Sequence, residues 1–469
     1  MRRLALLVSL SLAAAASAVA QAPGRTSADQ RQAVTITVYN QNFGLVREVR
    51  AVDLARGRAA LEFRDVASQI EPYTVSVHAL GTGRFAVLEQ NYRYDLLSPD
   101  QLLKKYVGRK IKVYRWNSVT GRDDPFDAEV LSVNQSPILR IGNEITYGFP
   151  GRMAFPEIPE NLIAEPTLEW LLDSNGGRRQ LEVSYLTGGM NWRADYVMVV
   201  NDADTQGDLT GWVTLDNQSG ASFKDAQLKL VAGDVQRVRD QMARDQAGAM
   251  RAMAVATVTV TEEGLFEYHL YTLERPTDVL NNEQKQVTLL EASGVGLVKR
   301  LVLPGQPYYY RAQTGEVMSN QKVSVFLEFR NSGANRLGMP LPKGIVRVYK
   351  ADKSGAQQFI GEDQIDHTPR DELLKIKMGE AFDVVADRRQ MEWHVSGRCE
   401  STSSWEVDLR NHKDEAVTVD VLEPIGGDWT IVASSHKWER VDARTFKFEV
   451  GIPARGETKV TYQAKVKWC

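Results

Sequence analysis

The sequence predicts a mainly β protein: several antiparallel β-sandwich domains, a small inserted β-barrel-like unit and few short helices. Three observations carry this. Apolar residues recur with period two: Val34, Ile36 and Val38 alternate with Thr35 and Thr37; Val323, Val325, Leu327 and Phe329 share a face; so do Val417, Val419 and Val421. At the end of the chain Val460, Tyr462, Ala464, Val466 and Trp468 lie opposite Lys459, Lys465 and Lys467. Such alternation puts one face on a core and the other in water, as in antiparallel sheets. Turn-forming clusters such as Asn331-Ser332-Gly333 and Gly426-Gly427-Asp428 separate these runs. Helical signals are rare.

Taken in order, residues 1–20 read as a signal peptide. Arg2 and Arg3 precede a short apolar core, and Ala18-Val19-Ala20 fits the small-x-small cleavage rule, leaving Gln21 as the new N-terminus. Residues 21–33 are expected to be a mobile N-terminus and 34–97 an N-terminal β region. Segment 98–150 begins with a helix signal, Ser98-Pro99-Asp100, followed by Leu102, Leu103 and Tyr106 on one face. Short, evenly spaced strands around Ile111, Val113, Val130, Leu139 and Ile141 then suggest a small barrel-like unit. Residues 151–235 form another β region, with 167–173 read as a second short helix. Residues 236–260 lack a wide apolar stripe and read as a mobile linker. Residues 261–390 complete a central sandwich, and 391–469 read as a C-terminal Ig-like β-sandwich.

Size and charge narrow the function. The chain has 469 residues, 43% of them hydrophobic and 25% charged, with a formal charge of −3. That is globular composition, enough for about three compact units, and it carries no basic footprint for nucleic acid. After signal cleavage no segment approaches the ~20 apolar residues of a spanning helix. The product is expected to be exported and periplasmic.

Several blocks carry a family resemblance: VTITVYNQNFGLVREVR (34–50), SYLTGGMNWRADY (184–196), GWVTLDNQSGASFKDAQLKLVAGDV (211–235), EYHLYTL (267–273) and LRNHKDEAVTV (409–419). On these the chain resembles the domain-of-unknown-function 4139 family of exported bacterial proteins, a domain shared with mucoidy-inhibitor-like proteins. The resemblance implies an envelope-associated, β-rich protein and brings no catalytic residues. The blocks also read physically. Tyr185, Trp192 and Tyr196 flank a Gly188-Gly189 turn as anchors of a hairpin, and Asn217, Ser219 and Gly220 form a turn between strands.

Chemistry-bearing motifs are sparse. No GxSxG elbow, phosphate-binding GxxxxGK[ST] loop, GxGxxG turn or HExxH helix occurs. Asp202, Asp204 and Gly207 follow part of a calcium-loop spacing, but the twelfth position is Val213 where a bidentate Glu is needed, so a turn is favoured. Glu362, Asp363, Asp366, His367, Asp371 and Glu372 offer one imidazole among acids and read as a solvated acidic turn. Ser396, Ser403 and Ser404 lie near His394 and His412 without a triad order. Trp405, Trp429, Trp438 and Trp468 cluster near the C-terminus, where core packing is favoured over sugar stacking. Tyr308-Tyr309-Tyr310, read as a strand, must send at least one ring outward. The two cysteines, Cys399 and Cys469, either pair in an oxidising compartment or stay apart as a buried residue and a frayed terminal thiol; the sequence leaves both open.

The sequence therefore assigns no catalytic residue, metal ligand or cofactor. It favours a non-enzymatic exported envelope protein with a β-sandwich binding or scaffold role towards an envelope protein or polysaccharide. The alternative is an exported hydrolase of glycans or peptides whose site assembles only in the fold. Paired acids in a pocket with shifted pKa values would separate the two. An outer-membrane barrel is disfavoured, because these strands carry too many charges for a lipid-facing side.

Overall fold

A computed structural model describes residues 24–159, 162–233, 235–237 and 260–469. Most of the expected linker and the whole of the expected signal peptide lie outside these residues. The architecture is mainly β, 66% strand and 5% helix, in several separate sheets with no closed barrel.

In chain order the first elements are β1 (Gly24–Thr26), β2 (Arg31–Tyr39), β3 (Phe43–Arg64), β4 (Ser76–Leu80), β5 (Phe85–Arg93), α1 (Pro99–Lys105), β6 (Lys110–Asn117), β7 (Arg122–Ser132), β8 (Ile138–Ile141), β9 (Glu144–Tyr147), β10 (Arg152–Ala154) and β11 (Thr167–Gly188). Two of the sequence expectations change here. The N-terminus is ordered from Gly24, because β1 pairs in parallel with Leu61, Glu62 and Phe63 of β3. Residues 167–173 are the start of a long strand and not a helix, since Thr167 to Gly188 ladder along nearly all of β3.

That β3–β11 hairpin does not run straight. Arg50 and Arg64 are both in β3, and fourteen extended residues span about 46 Å. Yet Arg50 Nη1 donates to the Arg64 carbonyl at 2.8 Å. The strand pair must fold back on itself. The fold falls where Gly57 (φ 83°), Gly176 (φ 78°) and Gly177 (φ 89°) adopt left-handed backbone, which a side chain would oppose. Beside them Ser174 Oγ donates to the Ala55 carbonyl at 2.7 Å and accepts the Gly176 N–H at 3.0 Å. One half of β11 carries β4 and the other carries β5.

The inserted unit is an open five-stranded sheet, ordered β10-β6-β7-β8-β9, and not a barrel. The edge strands have four residues or fewer, and α1 covers one face instead, placing Leu103 and Tyr106 in a core with Ile111, Val113, Val130 and Leu139. The helix starts as its sequence predicts: Ser98 Oγ accepts the Gln101 N–H at 3.2 Å, and Pro99 opens the first turn.

The ten-stranded sheet holding the hairpin packs against a five-stranded sheet in which Met190–Val200 is central. One continuous core, including Ile36, Val46, Phe63, Trp170, Tyr185 and Tyr196, lies between them. A nine-stranded sheet forms the second core, with Trp405, Phe446 and Tyr462 at its centre. Residue 391 is not a break in this unit. It falls within the strand Leu373–Ser396, which pairs with Met318–Arg330 on one side and Glu400–Asn411 on the other. Alternation reveals which face of a strand is buried but not which strand is its neighbour.

In this second core the tyrosine run forms a 3-10 turn, Pro307–Tyr310, so Tyr309 and Tyr310 both enter the core while Tyr308 stays outside. Tyr310 donates to Glu423 at 2.9 Å, and Glu423 faces Arg388 at 2.7 Å; neither charge reaches solvent. Trp405 and Trp429 are buried and Trp438 packs against the same core, whereas Trp468 is exposed.

Cys399 and Cys469 are joined in a disulfide, with their Cα atoms 5.8 Å apart, and Trp468 N–H donates to the Cys399 carbonyl at 2.8 Å. The last strand is thus tied at its tip to the start of its neighbour. Because 70 residues separate the two cysteines, Cys399→Ser with Cys469→Ser is expected to lower stability by up to about 4 kcal/mol, from the unfolded-chain entropy the bridge removes. Denaturant unfolding measures this, and thiol labelling of the unreduced protein should find neither cysteine.

Candidate functional site

At the end of β3 beyond the bend at Gly57, where β11 begins, strand register assembles a polar cleft of about 310 Å³. Arg64 of β3 lies opposite Thr167 of β11, which lies opposite Arg93 of β5. Two residues along β3, on the same face, Glu62 lies opposite Arg25 of β1. The result is three guanidiniums around one carboxylate. Arg64 reaches Glu62 with Nη2 at 2.6 Å and Nε at 3.1 Å; Arg25 Nε is at 3.2 Å and Arg93 Nη1 at 3.8 Å. Glu62 is nearly buried, its side chain 7% exposed, while Arg25 and Arg64 keep 63% and 39% of their side-chain surface.

A pair of carboxyl groups sits at the edge of the cleft. Asp65, just past the end of β3 with φ 60°, accepts the Ala28 N–H at 2.7 Å. Its side chain also shares a hydrogen bond with Glu165, which lines the cleft. Two carboxylates so close cannot both ionise freely. The hydrogen bond to Asp65 is the main reason Glu165 is pushed up to about 7, with burial and the Asp65 charge acting the same way. Burial would raise Asp65 too, but the Glu165 hydrogen bond, the Ala28 N–H and the charges of Arg50 and Arg31 together hold it below the usual range. The shared proton therefore resides on Glu165.

Beneath the cleft lies a second charge cluster. Arg50 and Glu48 are fully buried; Arg50 Nη2 donates to Glu48 Oε1 at 3.0 Å, and Arg31 Nε donates to Glu48 Oε2 at 2.6 Å. The Arg50 guanidinium also lies 3.7 Å from the centre of the Phe63 ring.

The other motifs raised from sequence have structural roles. Asp204 accepts from Lys299 and Lys350, each at 2.6 Å, and Asn201 Oδ1 accepts the N–H groups of Thr205 and Gln206, so the aspartate-rich loop is a turn held by two lysines. In the acidic stretch Glu362 pairs with Arg347, and Asp363 accepts the N–H groups of Gln364 and Lys377. Ser403 accepts from the Trp405 indole at 2.9 Å, and Ser404 donates to Glu392 at 3.2 Å. Tyr185, Trp192 and Tyr196 are buried around the tight turn at Gly189.

The remaining quoted blocks explain themselves in the same way. Buried Asn217 donates to the carbonyls of Ala221 at 2.9 Å and Leu280 at 3.0 Å, pinning the Asn-Gln-Ser-Gly turn. Asn331 and Asn411 repeat the arrangement after their own strands, donating to the carbonyls of Met339 and Glu415, each at 2.8 Å. A family model described as "Domain of unknown function (DUF4139)" matches residues 181–468. The chain belongs to this family. No curated protein matches it. The match begins midway along β11, so every residue of the cleft named above precedes the matched region.

The cleft was missed in the sequence because its members are spread from Arg25 to Thr167 and are brought together only by register. The one local hint is the Glu62-Phe63-Arg64 alternation, which puts opposite charges on one face.

Glu165 also makes stability depend on pH. Its folded-state pKa is raised, so the folded protein holds a proton that the unfolded chain releases, and stability falls as pH rises from about 4.5 to about 7. Asp65, held low, contributes stability that is lost only as pH falls below the ordinary aspartate range. Glu165→Gln should remove the first slope and leave the second. In urea unfolding, wild type should lose stability relative to the variant between pH 5 and pH 8; a constant gap would contradict the assignment.

Proposed function

We propose that the protein is exported to the cell envelope and acts there by binding a protein or polysaccharide partner, not by catalysis. The observation that carries this reading is the cleft, whose concave surface presents guanidiniums around a fixed carboxylate. Guanidinium forks recognise and orient oxygen-bearing groups but do not transfer protons near neutral pH. The export half rests on the residue pattern of positions 1–20.

Hydrolysis is the second reading, favoured by one feature: the Asp65–Glu165 pair, whose two pKa values are pushed apart as acid and base partners often are. Against it, Asp65 is turned to the Ala28 backbone and does not line the cleft. The two carboxyls touch each other instead of flanking a space where a bond could be cleaved.

Cell fractionation and affinity capture test the proposal. Expressed from its full gene, the protein should be recovered in the periplasmic fraction beginning at Gln21. Used as bait against envelope extract, it should retain a partner that Arg25→Gln weakens. Recovery only in the cytoplasm with Met1 intact would refute export. Turnover of glycan or peptide substrates that disappears in Glu165→Gln would favour the hydrolase instead.

A further inference from the structure

We propose that the cleft is an oxyanion receptor, taking a carboxylate or phosphate group of its ligand between Arg25 and Arg64. This rests on the binding reading above and names the chemistry recognised.

Two guanidiniums carry about ten N–H donors, whereas one ionised carboxylate offers about four acceptor positions. Arg64 already uses Nε and Nη2 on a single oxygen of Glu62. Arg25 approaches that same oxygen, Oε2, at 3.2 Å, and Arg93 approaches Oε1 at 3.8 Å from the third side. Glu62 Oε2 is thus fully used, while three guanidiniums face this one carboxylate. Planar guanidinium forks fit carboxylate and phosphate oxygens in pairs of parallel hydrogen bonds, an arrangement point charges do not select.

Glu62 also preorganises the site. Held nearly dry on β3, it fixes the guanidiniums before a ligand arrives, so less side-chain freedom is lost on binding. Size agrees: at about 310 Å³ the cleft sits at the lower end of small-ligand pockets, room for one charged group and the ring or residue behind it. Glu165 on the wall sets the pH response. Its proton held in the bond to Asp65, it adds no negative charge to repel an anion; ionised, with Asp65 and Asp29 beside it and only Arg64 to offset them, it opposes binding. Affinity should therefore rise as pH falls through 7.

Titration calorimetry on the mature full-length protein tests this with three probes: inorganic phosphate, glucuronate and, as the neutral control, glucose. Phosphate or glucuronate should bind, glucose should not, and which of the two anions binds more tightly separates phosphate from carboxylate recognition. Glucuronate, whose own charge does not change over this range, should bind at least threefold more tightly at pH 6 than at pH 8, and Glu165→Gln should flatten that dependence. Arg25→Gln, at a largely exposed position where folding is not at stake, should weaken binding about tenfold, and Arg64→Gln more. Arg455→Gln, in a solvent-exposed ion pair with Asp414 in another part of the molecule, should change nothing. Absence of heat from both anions, or equal affinity in wild type and Arg25→Gln, overturns the inference. The two levels separate cleanly: a partner captured from extract with neither anion bound leaves the binding reading standing without this one, and anion binding at Arg25 with no captured partner does the reverse.

Discussion

Arg50 reaches across the folded β3–β11 hairpin to the carbonyl of Arg64 at 2.8 Å and to that of Thr26 at 3.4 Å, while Glu48 neutralises it from its own strand. These contacts join the two halves of one strand and the short N-terminal strand beside it. A fully buried guanidinium is costly unless its charge and its N–H groups are matched; removing a partner from such a pair costs about 3–5 kcal/mol. The match exists in one arrangement only. A one-residue slip of β3 would turn Arg50 and Glu48 to the opposite face, and an unfolded bend would carry the Arg64 carbonyl tens of ångströms away. The C-terminal core also buries an ion pair, Arg388 facing Glu423, with Tyr310 donating to that carboxylate.

The cleft follows from that arrangement. Once the Arg64 carbonyl is fixed, Glu62 and Arg64 lie on a common face, Arg25 is brought in by β1, and Asp65 turns back to the Ala28 N–H. β11 starts opposite Arg64, which puts Thr167 and the preceding Glu165 in the same place. The cleft residues precede the family-matched region, yet the strand that carries their ladder continues into it. The matched segment supplies the other layer of the sandwich, against which the folded hairpin packs.

Much of the architecture was legible because a half-buried strand announces itself through alternation. Val34, Ile36 and Val38 are buried, as are Val460, Tyr462, Ala464 and Val466. Local turn chemistry was equally readable, at the Ser98 cap and the Asn217 turn. What failed was partnership. Residues 167–173, expected as a short helix, are drawn into the sheet by β3 and β5 on either side. The expected boundary at residue 391 falls inside one long strand that pairs with neighbours from both sides of it in the chain. The inserted unit was expected to close, but strands of three and four residues under one helix leave both sheet edges open. Of the site, single charges were visible and their convergence was not: Arg25, Glu62, Arg93 and Glu165 have no common spacing in the chain.

The buried Arg50 fork builds the cleft, and Arg50→Lys isolates its part, since lysine keeps the charge beside Glu48 but cannot span two carbonyls and a carboxylate at once. Hydrogen–deuterium exchange of this variant against wild type, at matched pH and temperature, is the most direct measurement. Faster exchange is expected, confined to residues 24–31 and 162–168, the two segments that complete the cleft, with the amides of Glu400–Asn411 and Glu457–Lys467 unchanged. Wild-type protection in both cleft segments would contradict it.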